Sequence, residues 1–341
     1  MINKLPIADC GLPIDSGAAT PRLSIGNRQS AIANAFSMVE LLVAMTLLSL
    51  IVLALMAVFN STQQAFRSSV TQTDILEGSR AAVDLITTDL RTLTPSDGQS
   101  NYFYNASFYP GVVNFFSSDN SYAECSYSGA NLLYQPLRQS LPGSDSLRAN
   151  VLNYFFMLGR NNQKWTGVGY VVNATNASPL YPLYRFYAET NIAASPYGLF
   201  SAFISAVNYS QWTNMSHVLD GVVHLTVRVY DVNGYWMTNT TQFHGPLQTT
   251  NKNILFVLPM VPARSGGEMG FYFYSNAVPA AVELQLGVIE DRTLQRVESL
   301  GNPAGLGLST AQSNYLAQQS GHVYLFRQRV TIPNVDPSAY Q

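Results

Sequence analysis

A single charge interrupts the first long apolar run of this chain, and its chemistry is the most demanding in the sequence. From Phe36 to Phe59 there are 24 residues, with Glu40 the sole ionisable side chain. At about 1.5 Å per residue, a helix of that length spans a hydrocarbon core of roughly 30 Å. A carboxylate at the centre of a helix in lipid costs on the order of 2.5–3.5 kcal/mol, and less near an end. Glu40 therefore has two readings: it finds a partner inside the membrane, or it lies close enough to the cytoplasmic interface to stay hydrated.

The other residue types that do chemistry are dispersed. His217 and His224 are too isolated to resemble a zinc site, which gathers more ligands, and they read with His244 and His322 as solvent-facing or hydrogen-bonded side chains. There is no Gly-x-Ser-x-Gly elbow and no Ser-x-x-Lys pair, so a hydrolase lacks its nucleophile. Arg264-Ser265-Gly266-Gly267 lacks the Gly-Lys-Ser/Thr ending of a phosphate loop. Asp231-Val232-Asn233-Gly234 echoes part of a calcium loop without its remaining ligands, and reads as a tight hairpin turn because Asn-Gly accepts positive φ. Cys10 and Cys125 are the two cysteines; once the first 35 residues are removed Cys125 stands alone, a buried unreactive thiol. No catalytic residue, cofactor or metal is indicated, and the chain does not read as an enzyme. Aromatic clusters at Tyr102 to Tyr104, Tyr154-Phe155-Phe156 and Phe271 to Tyr274 read as packing, with a sugar- or polymer-binding surface as the rival.

The elements that position these residues follow from composition and periodicity. The 341 residues are 47% hydrophobic and only 11% charged, which favours a β-rich body solubilised by neutral polar groups. The net charge of −2, with no basic run, lacks the electrostatic footprint of a nucleic-acid-binding protein. Residues 1–35 have no apolar period and read as a leader to be set apart from the fold. The apolar run that follows is longer than the roughly 7–15 residues of a secretory signal core. Lys4, Arg22 and Arg28 precede the span and no basic residue follows it until Arg67, which places the N-terminus in the cytoplasm and the body outside.

Four segments result: the leader (1–35), a transmembrane half of a helix (36–59), its amphipathic continuation (60–94) and a β-rich extracytoplasmic domain (95–341). In the continuation, Phe66, Val70, Leu76, Val83, Ile86, Leu90 and Leu93 mark an apolar stripe, with Arg67, Asp74, Glu77, Arg80, Asp84, Asp89 and Arg91 largely off it. Gly78 is a site for a slight bend, and Thr94-Pro95 ends the helix. Residues 96 to 147 read as short strands and loops. Strands are expected at Val151 to Leu158, Gly169 to Val172, Leu183 to Ala188, Val218 to Asp231, Ile254 to Pro259, Gly270 to Tyr274, Ala280 to Ile289 and His322 to Ile332. Within the fourth, Val223, Leu225, Val227 and Val229 share a face opposed by His224, Thr226 and Arg228, as in a half-buried antiparallel strand. Leu308 to Gln319 reads as a short surface helix.

Ala35 before Phe36, with Glu40 fifth from that phenylalanine and an unbroken Leu/Val/Ala/Met run behind it, resembles the processing site of type IV prepilins and type II secretion pseudopilins. The resemblance implies cleavage by a membrane prepilin peptidase between Ala35 and Phe36, N-methylation of Phe36, and pairing of Glu40 with the Phe36 amine of a neighbouring subunit. The family usually has Gly where this chain has Ala35, and shorter leaders. Ser79 to Arg91 is similar to the Arg-to-Asp-Leu-Arg end of the long helix in J-type minor pseudopilins and W-type minor pilins. Leu219-Asp220-Gly221-Val222, the run Tyr230 to Trp236, and Val278-Pro279-Ala280-Ala281-Val282-Glu283-Leu284 resemble later strands of the same families. The implied fold is α+β and pilin-like, a long N-terminal helix on antiparallel sheets with large loop insertions. The implied function is that of a minor subunit of a type II secretion pseudopilus or type IV pilus in the bacterial inner membrane, with the peptidase and other subunits as partners. The alternative is a membrane-anchored extracytoplasmic glycan- or peptide-binding protein.

Overall fold

The computed structural model describes residues 37–96, 102–104, 107–109, 111–119, 137–140, 147–173, 181–237, 253–257, 270–301 and 309–340. The leader, Ala35, Phe36, both cysteines, His244, Arg264 to Gly267 and the 258–259 end of one expected strand lie outside these. The architecture is α+β, and two compact units divide at Thr62 and Gln63.

Helix α1 runs without interruption from Met38 to Arg91, through Gly78. In the first unit its residues are exposed throughout, including Leu41, Leu48, Ile51, Leu55 and Phe59. A helix this long and apolar could cross a membrane as a single span, on the grounds of length and composition.

In the second unit, strands follow as β1 (Tyr102–Tyr104), β2 (Ser107–Tyr109), β3 (Val113–Asp119), β4 (Arg138–Ser140), β5 (Leu147–Ala149), β6 (Asn153–Asn161) and β7 (Lys164–Val172). After β8 (Leu183–Asn191) come helix α2 (Tyr197–Asn208), β9 (Ser216–Leu219) and β10 (Val222–Tyr230). The chain continues with β11 (Ile254–Val257), β12 (Gly270–Tyr274), β13 (Ala281–Ile289), α3 (Asp291–Ser299), α4 (Thr310–Ala317) and β14 (Val323–Thr331). A seven-stranded antiparallel sheet has the order β11-β12-β3-β6-β7-β8-β9, and a three-stranded sheet has the order β10-β13-β14. The short hairpins β1-β2 and β4-β5 fall in the region read as strands and loops.

The middle of the large sheet, β3, β6 and β7, is buried on both faces, which explains why β3 and β6 carry bulky side chains at successive positions. Phe155 and Met157 of β6 enter a core shared with α1 and the three-stranded sheet. Tyr154, Phe156 and Leu158, on the opposite pleat, enter a second core under α2. Gly167 and Gly169 of β7 make room for that helix. A Cβ on Gly169 would lie 2.4 Å from the ring of Phe203, and one on Gly167 would lie 3.0 Å from Leu199 Cβ. Phe271 and Phe273 of β12 point to the first core and Tyr274 to the second, so the aromatic clusters of β6 and β12 are largely packing. Tyr102 to Tyr104 fall on β1, whose side chains lie outside the described residues.

Several expectations are corrected. The buried stripe of α1 begins at Ile75 and continues through Ser79, Ala82, Val83, Ile86 and Leu90, whereas Phe66 and Val70 are exposed. Asp89, expected off that stripe, is buried within it. The single strand expected from Val218 to Asp231 is two strands in different sheets. The break comes at Gly221, whose φ of 79° suits glycine and where a Cβ would stand 3.0 Å from the Ile289 carbonyl. The first part of β10 is buried on both faces rather than half-buried, including His224 and Thr226. The segment just before β6 meets it there, Leu225 N–H donating to the Val151 carbonyl (2.8 Å) and Val151 N–H to His224 Nδ1 (3.2 Å). Helices α2 and α3 lie outside the elements expected from the sequence. Helix α4 is among those elements, and a capping box between Ser309 and Gln312 starts it.

Candidate functional site

The head of α1 is the site that sequence chemistry singles out. Ser37 is its N-cap: the Ser37 N–H and hydroxyl donate to Glu40 Oε2 at 2.9 and 3.0 Å, and the Glu40 N–H donates to Ser37 Oγ at 3.2 Å. This reciprocal pairing is a capping box, and it places the carboxylate at the positive end of the helix dipole. Glu40 thus has hydrogen-bond partners within its own chain. The signal was present locally as Ser-x-x-Glu ahead of an apolar run. Ala35 and Phe36, the implied cleavage pair, lie outside the described residues.

A second charged constellation, in the other unit, joins α1 to the large sheet. Asp89 Oδ2 and Oδ1 accept from Arg185 Nε and Nη2 at 2.7 and 2.9 Å, and the Tyr170 hydroxyl donates to Oδ2 at 2.5 Å. Burial, with the Asp89 charge and hydrogen bond beside it, pushes the Tyr170 phenol well above its ordinary value, so it stays a neutral donor. The guanidinium of Arg185 is held protonated chiefly by its hydrogen bonds to Asp89. With three donors on one carboxylate, the arrangement ties α1 to β7 and β8.

The remaining candidates resolve into structural contacts. His217 Nε2 is 2.9 Å from Asp220 Oδ1, and His322 Nδ1 is 3.1 Å from Glu290 Oε2, both at the surface. His217 and His224 are not brought into a shared cluster, and no group of three potential metal ligands occurs among the described residues. Asp231 Oδ1 accepts from the N–H groups of Asn233 (3.0 Å) and Tyr235 (2.7 Å), forming the expected turn, in which only Gly234 takes positive φ. Of the later segments of the resemblance, Tyr230 at the head of the turn and Ala281 at the start of β13 are register partners, so two of them meet at one end of the small sheet.

No family model, curated protein or solved structure matches the chain.

Proposed function

We propose that this chain is a minor pilin or pseudopilin of the J- or W-type. It is held in the bacterial inner membrane by the first part of α1, with its N-terminus cytoplasmic and its body extracytoplasmic. Prepilin peptidase cleaves between Ala35 and Phe36, Phe36 is N-methylated, and the subunit joins or caps a type II secretion pseudopilus or type IV pilus. The observation that supports this reading is the position of Glu40, fifth counting from Phe36 and in the first turn of an apolar helix that continues into the amphipathic segment of a β-rich body. In a bundle of such helices an unpaired carboxylate is costly, so exchange of the Ser37 contacts for a neighbour's Phe36 amine acts as a check on register.

Mass spectrometry of the N-terminus of membrane-extracted protein tests it. N-methyl-phenylalanine at residue 36 is the expected result, and an intact Met1 end overturns it. Glu40→Ala is expected to leave cleavage and insertion intact while reducing co-purification with other subunits; equal recovery of mutant and wild type counts against the pairing role.

The rival reading, an anchored extracytoplasmic binding protein, is favoured by the capping box, because Glu40 bonded to Ser37 has no need of a second subunit. The same mass spectrum separates the two.

A further inference from the structure

Strand β14 ends the small sheet, paired along all nine residues with β13 on one side alone among the described strands. The Ile332 N–H donates to the Ala280 carbonyl and the Glu290 N–H to the His322 carbonyl, so even-numbered residues face β13 with their backbone groups. By the alternation of an antiparallel strand, the N–H and C=O groups of Leu325, Arg327, Arg329 and Thr331 then point off the edge. Their side chains are exposed.

These side chains belong to a basic face that the linear sequence does not display. Arg228, Glu283 and Arg329 lie abreast across the three strands, with Gln285 and Arg327 in the next row. Glu283 is buried, and its carboxylate accepts from Arg327 Nη2 (2.8 Å), Tyr230 Oη (3.1 Å) and Gln285 Nε2 (3.1 Å), with Arg228 Nη1 at 3.8 Å. Arg329 stacks 3.8 Å from the ring centre of Tyr230, and Arg228 lies 4.8 Å from that of Trp236. Along the edge strand itself Arg327 and Arg329 thus bring two guanidinium groups beside the one buried carboxylate of Glu283, which is already occupied, leaving that edge with an excess of positive charge.

We infer that the β14 edge is a docking site for an extended acidic segment of a different protein, added as an antiparallel strand. Main-chain hydrogen bonds to the outward groups of β14 supply the attachment, and side chains at alternate positions supply the choice of partner. The spacing along Arg329, Arg327 and Leu325 selects a segment reading acidic–x–acidic–x–apolar. Nowhere in these 341 residues do two acidic side chains stand two positions apart, so a second copy does not supply it. The same arginines keep identical edges apart by like-charge repulsion. The inference is independent of any processing at Phe36.

The test uses the full chain in nonionic detergent and a peptide acetyl-Ser-Thr-Glu-Thr-Glu-Thr-Val-Thr-Ser-amide. Hydrogen exchange at the amides of Leu325, Arg327 and Arg329 is expected to slow at least tenfold on saturation. Affinity is expected to fall at least tenfold in Arg327→Gln/Arg329→Gln, and likewise in Leu325→Pro, which removes an outward donor. A control peptide with its two Glu residues adjacent, and so on opposite faces, is expected to bind at least tenfold more weakly. Unchanged exchange at the three amides in the wild type overturns the proposal, as does equal affinity for the two peptides. Equal slowing of the same amides by a single-stranded oligothymidylate also overturns it, since charge alone would then explain the binding.

Discussion

Replacing Asp89 by alanine should be among the most damaging single changes in the body. Its side chain is 12% exposed and that of Arg185 is 21% exposed, so removing the acid strands a guanidinium in a largely desolvated place. Breaking a buried pair in this way costs about 3–5 kcal/mol, and the residual access of water to Arg185 lowers the expectation to about 2–4 kcal/mol. The Tyr170 hydroxyl, fully buried, loses its acceptor at the same time, a penalty contained within that total rather than added to it. The carboxylate also lies near the C-terminus of α1, where the helix dipole disfavours it, so Arg185 and Tyr170 account for its presence there. Urea unfolding of the full chain in micelles, followed by tryptophan emission and near-ultraviolet circular dichroism, would compare Asp89→Ala, Arg185→Ala and the double variant. The double variant should cost little more than either single, giving a coupling of about 2 kcal/mol. A coupling under about 0.5 kcal/mol, or a loss under about 1 kcal/mol for Asp89→Ala, would refute the clamp.

Two other perturbations probe the packing and the charge. Gly169→Ala sets a methyl against the Phe203 ring and should destabilise by about 1–3 kcal/mol, measured by the same unfolding assay; a neutral result would mean that α2 slides freely over the sheet. Burial alone would raise the pKa of the Glu283 carboxyl, but hydrogen bonds from Arg327, Gln285 and Tyr230 outweigh it and hold the carboxyl below its ordinary 4.5. Its stabilising contribution is therefore fully present above about pH 4.5 and lost as pH falls through the lowered value. Glu283→Gln should flatten the fall in stability between about pH 5 and 3, and an unaltered acid limb would contradict the assignment.

Local pattern carried the sequence reading as far as local physics reaches. The apolar run of α1, the strand character of β10 and the Asp231 turn are each written within a few neighbouring residues, and the α+β class follows from them. Asp89 reads as off the apolar stripe because its partner lies 96 residues away on β8, beyond any periodicity. Helix α2 was missed because Tyr197 to Asn208 is short and apolar on most sides, a composition shared with buried strands. Gly221 ends one strand and starts another, yet in sequence it is a single glycine between two runs of similar residues. The basic face was invisible for the same reason as Asp89: Arg228 and Arg329 become neighbours only when β13 comes between them.

The stripe from Ile75 to Leu93 has its covering residues far downstream, Val223 and Leu225 in one strand, Val282 and Leu284 in the next, and Val330 in the last. As the chain leaves the ribosome, that greasy surface waits for Val330 while roughly 240 further residues are made, so the topology is one of high contact order and slow closure. A nascent molecule halted before β14 would expose both the stripe and an unfinished sheet, which makes holdase chaperones and proteolysis the natural competitors of its maturation.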